Sequence, residues 1–289
     1  MTTIALLGTG RLGAAIGHRL LEVGMCLKVW NRDPDRCRSL VSAGALHCDS
    51  PAETLLDADT VVTVLRDGPV TSAVVQCLGP LQGRTVIPMG TMGISESVRL
   101  SKDVKAQGGC YLEAPVLGSR PEAQKGTLLV MAGGDPEVFE LQRPLLQQLG
   151  SDPLHMGEVG TGAAAKLALN QLIASLTHGY SLALRLVQAS GLEVERFMEV
   201  LRPSALYAPT VDKKLGRMLT EHYGDPNFST SLLRKDLNLF LQESKRAGVD
   251  AFALEGLALL LQRAEGTDLD AGDYSALHAL TKINSDTSE

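Results

Sequence analysis

Short apolar runs alternate with segments of helical periodicity along the first half of the sequence, and this alternation restricts the fold more than any other feature. Strands that alternate with helices are typical of a parallel sheet covered on both faces. The runs predicted as strands are 3–8, 26–30, 60–65, 85–90, 110–116, 127–134 and 154–156. The segments predicted as helices between them are 12–23, 36–43, 70–77, 96–106 and 137–149.

The pattern changes near Glu158. From Gly160 onward no run is typical of a strand, and helical segments are interrupted by glycine and proline. The first of these segments, 161–190, would form a helix about 45 Å long at 1.5 Å per residue. We therefore predict an α/β domain over residues 1–158 and an all-α domain over residues 159–289.

Composition excludes several classes of protein. The formal net charge is -6 and the basic residues form no long run, so we expect no nucleic-acid partner. No stretch is long and apolar enough for a signal peptide or a membrane span, and we expect no membrane partner. The five cysteines lack metal-ligand spacing, as do the six histidines. Scattered free thiols favour a cytoplasmic protein without a metal site.

The segment GTGRLG follows the first predicted strand and opens the first predicted helix. This is the context that dinucleotide binding requires of a G-x-G-x-x-G pattern. Gly8 would allow the tight turn, Gly10 the approach of a pyrophosphate to backbone amides, and Gly13 the contact of helix with strand. Leu12 in this loop and Leu65 at the end of the third predicted strand are also predicted to bind the cofactor.

The end of the second strand predicts which dinucleotide is bound. Asn31 stands where an acidic residue would bind the ribose 2′-hydroxyl, and Arg32 follows it. This exchange favours a 2′-phosphate and therefore NADP(H) over NAD(H). Arg36 lies one helical turn further and could add a second positive charge, although Asp33 and Asp35 weaken the local field.

A further group of residues opens the long predicted helix. Three alanines precede Lys166, and Asn170 follows it at i+4, so both side chains lie on one helix face. A lysine that enters a helix from a Gly/Ala-rich turn lies where the backbone leaves room for a ligand, although spacing alone favours an ordinary solvated lysine. An asparagine offers both a donor and an acceptor to a ligand.

These segments together resemble the β-hydroxyacid dehydrogenase family, which includes 3-hydroxyisobutyrate dehydrogenase. The motifs are most similar to those of the glyoxylate/succinic semialdehyde reductases. They follow in order along nearly the whole chain: GTGRLG, VWNRDPDR, GTMGISES, EAPVLGSRPEAQKGTLLVMAGG, GEVGTGAAAKLALN, RKDLNL and DYSAL. Several long motifs in register are more specific than the glycines alone.

The resemblance implies a Rossmann-type N-terminal domain, a helical C-terminal domain like that of 6-phosphogluconate dehydrogenase, and an active site in the cleft between them. It also implies a homodimer or homotetramer formed through the helical domain. Lys166 matches the catalytic lysine of the family, and Asn170 the asparagine that accompanies it. Lys235 of a lysine-aspartate pair would reach the cofactor from the helical domain.

The substrate-binding segments depart from the family pattern. Leu117 occupies the place of a serine that binds a substrate carboxylate, while the Gly118 amide and the amide and hydroxyl of Ser119 remain as predicted anion contacts. At 90–94 the family typically has Ser-Thr-x-x-Pro, whereas this chain has Gly90 and Thr91 at the first two positions. Thr91 remains a candidate contact of both substrate and nicotinamide. These changes predict an altered, more apolar pocket.

The favoured hypothesis is an NADP(H)-dependent reductase of small aldehyde-acids. Its predicted substrate is a small molecule. An imine reductase is the first alternative, since the resemblance implies the same two-domain plan and Leu117 and Gly90 would suit a substrate without a carboxylate. Lys166 disfavours it, because an ammonium repels an iminium. The second alternative is a non-catalytic NADP-binding protein.

Overall fold

The computed structural model describes residues 3–282 and divides the chain into two compact units, Met1–Ala168 and Leu169–Glu289. The division falls inside one long helix, Thr161–Ala189. The sequence places the change of character earlier, near residue 158. The limits 1–158 and 159–289 therefore stay predictions of where independent domains begin and end.

The N-terminal unit is built around one sheet with the strand order β3-β2-β1-β4-β5-β6-β8-β7, and β9 pairs with β8. Its strands are β1 (Thr3–Leu7), β2 (Cys26–Trp30), β3 (Leu46–His47), β4 (Thr60–Thr63), β5 (Thr85–Pro88), β6 (Cys110–Glu113), β7 (Val116–Leu117), β8 (Leu129–Gly134) and β9 (Leu154–Gly157). The order reverses on the two sides of β1. In open parallel sheets, ligands bind beside such a reversal, at the carboxyl ends of the strands.

Helices join these strands and cover both faces of the sheet. They are α1 (Arg11–Glu22), α2 (Arg38–Ser42), α3 (Gly68–Gln76), α4 (Ile94–Ala106), α5 (Arg120–Lys125) and α6 (Pro136–Leu149). Successive residues of β1 belong to two different cores: Ile4 and Leu6 to one, Ala5 and Leu7 to the other. A strand buried on both faces is apolar throughout, because its side chains alternate between two layers.

The parallel sheet predicted from the alternation is confirmed from β1 to β6, and the structure corrects it at the far edge. There β8 runs antiparallel to both β6 and β7. The residues between Glu113 and Leu129 hold only β7 and the six-residue helix α5. A parallel return needs a longer crossover, usually a full helix. The predicted strand 110–116 is also divided, since Pro115 cannot donate a ladder hydrogen bond.

The described part of the C-terminal unit, Leu169–Lys282, is helical and contains no strand beyond one isolated bridge between Ser229 and Asp273. Its helices are α7 (Thr161–Ala189), which begins in the N-terminal unit, α8 (Val194–Leu201), α9 (Thr210–Thr220), α10 (Thr230–Arg246), α11 (Phe252–Gln262), α12 (Asp268–Ala271) and α13 (Leu277–Leu280). One small core lies among α7, α10 and α11, and a second among α7, α8 and α9. The all-α character predicted for this half is confirmed over the described residues.

Candidate active site

The glycine-rich loop, residues 8–13, joins β1 to α1 and follows the predicted geometry. Gly8 has φ +95°, and a Cβ there would collide with the carbonyl oxygen of Val64. A Cβ at Gly13 would collide with the Gly8 carbonyl, so α1 begins directly against the strand end. By contrast, a Cβ at Gly10 would have no atom within 4 Å. Open space beside Gly10 and the amino end of α1 are what a pyrophosphate needs. Leu12 packs against the core below.

Asn31 ties the loop after β2 to the glycine-rich loop. Its Oδ1 accepts a hydrogen bond from the Thr9 amide at 3.3 Å, and its Nδ2 donates to the Asp33 carbonyl at 2.9 Å. Both polar atoms of this side chain are therefore used within the protein. Asn31 thus connects the two loops through an uncharged side chain.

The two arginines predicted to bind a cofactor phosphate differ in their partners. Arg36 lies 3.4 Å from Asp33 Oδ2, and Arg38 pairs with Asp35 at 2.7 Å. Arg32 is exposed and forms no hydrogen bond or ion pair with any other of the residues 3–282. The acidic residues of this loop are thus neutralised locally, and the guanidinium of Arg32 is available to an anion.

Leu65 lies between the carboxyl ends of β1 and β5. Its side chain is 2.8 Å from the position a Cβ at Gly8 would take, and its carbonyl oxygen fills the space beside Gly90. A serine at position 90 would bring its Cβ into collision with this oxygen. The departure from the family pattern at Gly90 therefore has a structural cause, the close approach of two strand ends. Thr91 follows it and is half-buried.

Lys166 lines a small pocket of the N-terminal unit at the carboxyl ends of β5 and β6. The other lining residues are Pro88, Gly90, Met92, Glu113, Pro115 and Ala163. Ala163 lies one helical turn before Lys166, and its short side chain leaves the space in front of the lysine open. The pocket wall is mostly apolar and carries two ionisable side chains, Lys166 and Glu113. An ammonium in such surroundings can donate a hydrogen bond to a small polar group that lies against the strand ends.

Glu113 was not singled out by the sequence, although it belongs to a quoted motif. It is 1% exposed, and its Oε1 accepts hydrogen bonds from the amides of Gly160, Gly162 and Ala163. Burial raises the pKa of this carboxyl, and hydrogen bonds from Ser97 and from these amides oppose that rise. A carboxylate inside the apolar run CYLEAPV was the available signal, because a buried charge needs dedicated partners.

The predicted anion-binding loop at 117–119 is arranged differently from the expectation. Leu117 belongs to β7 and pairs with Leu129. Ser119 donates both its amide, at 2.8 Å, and its hydroxyl, at 2.7 Å, to the carboxylate of Glu122. Two of the three donors that were expected to hold a substrate carboxylate are therefore engaged with a carboxylate of the protein itself. Glu122 is a second residue that the sequence did not single out.

Asn170 and Lys235 of the C-terminal unit converge on one buried carboxylate. Asp236 is 1% exposed; its Oδ2 accepts a 2.5 Å hydrogen bond from Asn170 Nδ2, and its Oδ1 lies 2.6 Å from Lys235 Nζ. Asn170 is also 1% exposed, and its Oδ1 has no hydrogen-bond partner among residues 3–282. Asp236 thereby decides which end of the Asn170 amide is left for a ligand: the acceptor.

The family to which this arrangement belongs is shown by comparison with known proteins. A model described as the NAD binding domain of 6-phosphogluconate dehydrogenase matches residues 3–160. The chain belongs to the β-hydroxyacid dehydrogenase family. A model described as the NAD-binding region of NADP-dependent 3-hydroxyisobutyrate dehydrogenase matches residues 160–281 of this dehydrogenase. It is therefore an oxidoreductase with a Rossmann-type domain for a nicotinamide cofactor, as the motifs predicted.

Individual relatives of this dehydrogenase are similar over nearly the whole chain. Glyoxylate/succinic semialdehyde reductase 1 of Arabidopsis thaliana is 29% identical, over 97% of this chain and 99% of the relative. An NAD-dependent L-serine dehydrogenase of Pseudomonas aeruginosa is 31% identical, over 91% and 92%. The structure of 3-hydroxyisobutyrate dehydrogenase from Mycobacterium tuberculosis with L-serine superposes with a TM-score of 0.87 at 25% identity, covering 98% of this chain and 100% of that chain. Among residues 3–282, no helix combines the length and the apolarity needed to cross a membrane.

Proposed function

We propose that this dehydrogenase is an NADP(H)-dependent reductase of small aldehyde-acids of the glyoxylate or succinic semialdehyde type, and that it also oxidises the hydroxyacids. The observation that carries the proposal is the pocket in which Lys166 meets the carboxyl ends of β5 and β6. The names of the Arabidopsis thaliana relatives support this substrate class. Membership in the family supports hydride transfer as the reaction.

Lys166 is the proposed proton donor. A bound nicotinamide cofactor supplies the hydride that a carbonyl carbon receives. As that carbon is reduced, the Lys166 ammonium gives a proton to the oxygen and becomes a neutral amine, which takes a proton back in the oxidation direction. The apolar walls, Met92 and Pro115 among them, keep water from the reacting oxygen and so strengthen its interaction with the ammonium.

The preference for NADP(H) is proposed from the loop after β2. The positive charge of Arg32 is not used by another of the described residues, and Asn31 brings no negative charge to the ribose. A 2′-phosphate gains a charge-assisted hydrogen bond from a guanidinium, which a 2′-hydroxyl does not. The Pseudomonas aeruginosa relative is named as NAD-dependent, so the cofactor preference must be tested directly.

The substrate carboxylate is proposed to contact the Gly118 amide and Thr91. Ser119 contributes only if the carboxylate of Glu122 is displaced from its two donors. Asn170 is proposed to accept a hydrogen bond from the substrate through its Oδ1, since Asp236 holds its Nδ2. The product, a hydroxyacid, provides the hydroxyl donor that such an acceptor requires.

One observation favours a second candidate, an imine reductase. Both donors of Ser119 are engaged with Glu122, and Leu117 replaces a hydroxyl, so the loop provides few groups for a carboxylate. An imine has no carboxylate to bind. Lys166 opposes this candidate, because its positive charge disfavours an iminium in the same pocket.

The deciding experiment measures oxidation of NADPH and of NADH with glyoxylate, succinic semialdehyde, an uncharged aldehyde of similar size and a cyclic imine. Turnover of the two acids, reduced at least about a hundredfold in Lys166→Ala with unchanged NADPH affinity, supports the proposal. The matched control is Lys102→Ala, which removes an exposed lysine of α4 and should change nothing. Preference for the imine supports the second candidate, and NADPH binding without any turnover identifies a non-catalytic protein.

We also propose that two copies of the chain associate through α7. Leu172, Leu176, Leu182 and Leu186 are exposed, at 40% to 70%, and form one stripe on this helix within the C-terminal unit. Small residues, Ser175, Gly179 and Ala183, lie among them and allow close approach of a second helix. Sedimentation of the wild type should show a dimer or tetramer, and Leu182→Arg should shift it to monomer. A wild type that sediments as a monomer would refute the association.

A further inference from the structure

We propose that Glu113 is a positioning residue for Lys166, because its buried carboxylate binds the first turn of the helix that carries the lysine. This inference rests on the proposed function, in which Lys166 is the proton donor. Glu113 does not touch the reacting atoms in this account. It acts by fixing the place and orientation of α7 against the sheet of the N-terminal unit.

The carboxylate of Glu113 satisfies backbone donors that the helix cannot satisfy itself. Its Oε1 accepts from the amides of Gly160 and Gly162, both at 2.8 Å, and of Ala163 at 3.2 Å. The first amides of any helix lack partners inside the helix, and a side chain usually provides them locally. Here the local side chain is absent, since Gly160 precedes the helix. A residue almost fifty positions earlier in the chain replaces it.

Two glycines make room for this contact. A Cβ at Gly133, on β8, would collide with Glu113 Oε1. A Cβ at Gly162 would lie 3.1 Å from the same oxygen and 2.5 Å from the carbonyl oxygen of Met131. Any larger residue at either position would push the helix away from the strand ends. The close approach of β8, Glu113 and α7 is therefore built into the sequence.

The second carboxylate oxygen is held from another direction. Ser97, on α4, donates its hydroxyl to Glu113 Oε2, and its Oγ lies 2.6 Å from the buried Tyr111 hydroxyl. The Tyr111 hydroxyl in turn lies 3.9 Å from Met92 Sδ, which lines the pocket. The carboxylate thus has fixed partners on α4 and at the start of α7, and Tyr111 of β6 contacts the Ser97 hydroxyl. With neither oxygen free to rotate, the helix is held at a defined place.

The link to Lys166 is short. Ala163 and Lys166 are separated by about one helical turn, so their side chains lie on the same face of α7. Glu113, Ala163 and Lys166 all line one pocket. A shift or rotation of the first turn would move the lysine by a similar amount, and misplacement by 1 Å can cost about a hundredfold in rate. We therefore expect loss of the Glu113 contact to lower kcat more than it lowers the affinity for the cofactor.

The anchor also affects the charge around the lysine. An ionised carboxylate at the amino end of α7 offsets the positive end of the helix dipole, which by itself would favour the neutral amine. A second titratable group of this network is Tyr111, whose hydroxyl contacts Ser97. Burial raises the pKa of Tyr111, so its hydroxyl stays neutral in the working range. When ionised, Glu113 therefore places a negative charge in the pocket that Lys166 also lines.

The test compares Glu113→Gln, which keeps the shape and one acceptor oxygen, with Ser97→Ala, which removes the donor to Oε2 together with its contact to the Tyr111 hydroxyl. Both variants are measured for NADPH affinity, kcat, KM and the dependence of kcat on pH. The control is Gln142→Met, because Gln142 is buried at 8% exposure and bonds Thr60 in the same unit, yet does not line the pocket. It should lose stability without losing turnover.

The expected result for Glu113→Gln is a fall of kcat by about tenfold or more, with KM and NADPH affinity within about threefold of wild type. The alkaline limb of kcat for reduction should move to lower pH, because loss of the negative charge makes the Lys166 ammonium easier to deprotonate. Ser97→Ala should change kcat in the same direction by a smaller factor.

Failure of this inference differs from failure of the proposed function. If Lys166→Ala abolishes turnover while Glu113→Gln and Ser97→Ala keep kcat and its pH profile unchanged, the positioning role is refuted and the proposed function stands. If Lys166→Ala leaves turnover intact, the proton-donor role fails, and the role of Glu113 fails with it. A Glu113→Gln protein that binds NADPH normally is folded, so its kcat is a valid test.

Discussion

Asn170 donates its amide to Asp236 across a distance of 2.5 Å, and both side chains are 1% exposed. Asp236 also pairs with Lys235 at 2.6 Å. One buried carboxylate therefore orients two side chains that the sequence assigned to catalysis and to cofactor binding. The orientation of Asn170 follows from this contact, because an anion accepts hydrogen bonds and cannot donate them.

Replacing the carboxylate should disturb both neighbours. Asp236→Ala leaves the Asn170 amide without its acceptor and Lys235 without its ion pair, so we expect a loss of about 2 kcal/mol in the free energy of unfolding. The kcat/KM should also fall at a temperature where the variant is still folded. Such a fall cannot come from unfolding, so it reports the lost orientation of Asn170 and Lys235. Urea unfolding and steady-state kinetics measure the two effects.

The control for this variant is Asp270→Ala, which removes one carboxylate partner, at 2.6 Å, of Arg234 on α10, the helix that also carries Asp236. It should cost less stability, since Asp270 is partly exposed, and leave kcat/KM unchanged. Equal kinetic losses in the two variants would contradict a specific role for Asp236.

The cofactor preference should depend on Arg32. We expect Arg32→Glu to lower kcat/KM for NADPH by about tenfold or more, because the 2′-phosphate loses a cation and meets an anion. The value for NADH should change little. Arg38→Glu, at an arginine that pairs with Asp35, is the matched control and should preserve the ratio of the two cofactors. An unchanged ratio in Arg32→Glu would count against NADP(H) selection by this loop.

Glu122 should oppose an anionic substrate. Its carboxylate occupies the two Ser119 donors, and its negative charge repels a substrate carboxylate held at the adjacent Gly118 amide. Glu122→Gln keeps an acceptor for the serine and removes the charge, so KM for glyoxylate should fall by about threefold to tenfold. KM for an uncharged aldehyde should stay the same. A parallel change with both substrates would show that charge is not the cause.

Stability should decrease in acid because of His278. Its ring is fully buried, neither ring nitrogen has a hydrogen-bond partner among residues 3–282, and burial lowers its pKa from 6.5 to about 4. Between these values the unfolded chain binds a proton that the folded chain does not. The free energy of unfolding should therefore fall as the pH decreases through this range, by up to about 1.4 kcal/mol per pH unit.

The measurement is urea unfolding at about pH 7.5 and about pH 5, for the wild type and for His278→Leu. The leucine variant should be at least as stable at the higher pH, because it replaces a buried polar ring without partners by an apolar side chain. It should also lose much of the acid sensitivity. The same pH slope in both proteins would assign the effect to other groups.

The sequence by itself determined the elements that depend on neighbouring residues. Periodicity located β1, α1, α6 and the long helix α7 to within a few residues, because apolar spacing records which faces are buried. The glycines of the first loop could be assigned because the turn from β1 into α1 is local in sequence, and a Cβ would collide with backbone at Gly8 and Gly13. The family motifs, in turn, marked Lys166 as a candidate catalytic residue.

Only the tertiary structure decided the partners that come from distant parts of the chain. Glu113 anchors the turn before Lys166, and Asp236 orients Asn170, although each pair is far apart in sequence. The antiparallel edge at β8 and the collision that explains Gly90 likewise depend on which strands become neighbours. Ser119 was available to an anion in the sequence, but in the fold its donors are bound to Glu122. The spacing of apolar residues indicates which faces are buried. The hydrogen-bond partner of each polar atom depends on residues that are distant in sequence and become neighbours only in the folded protein.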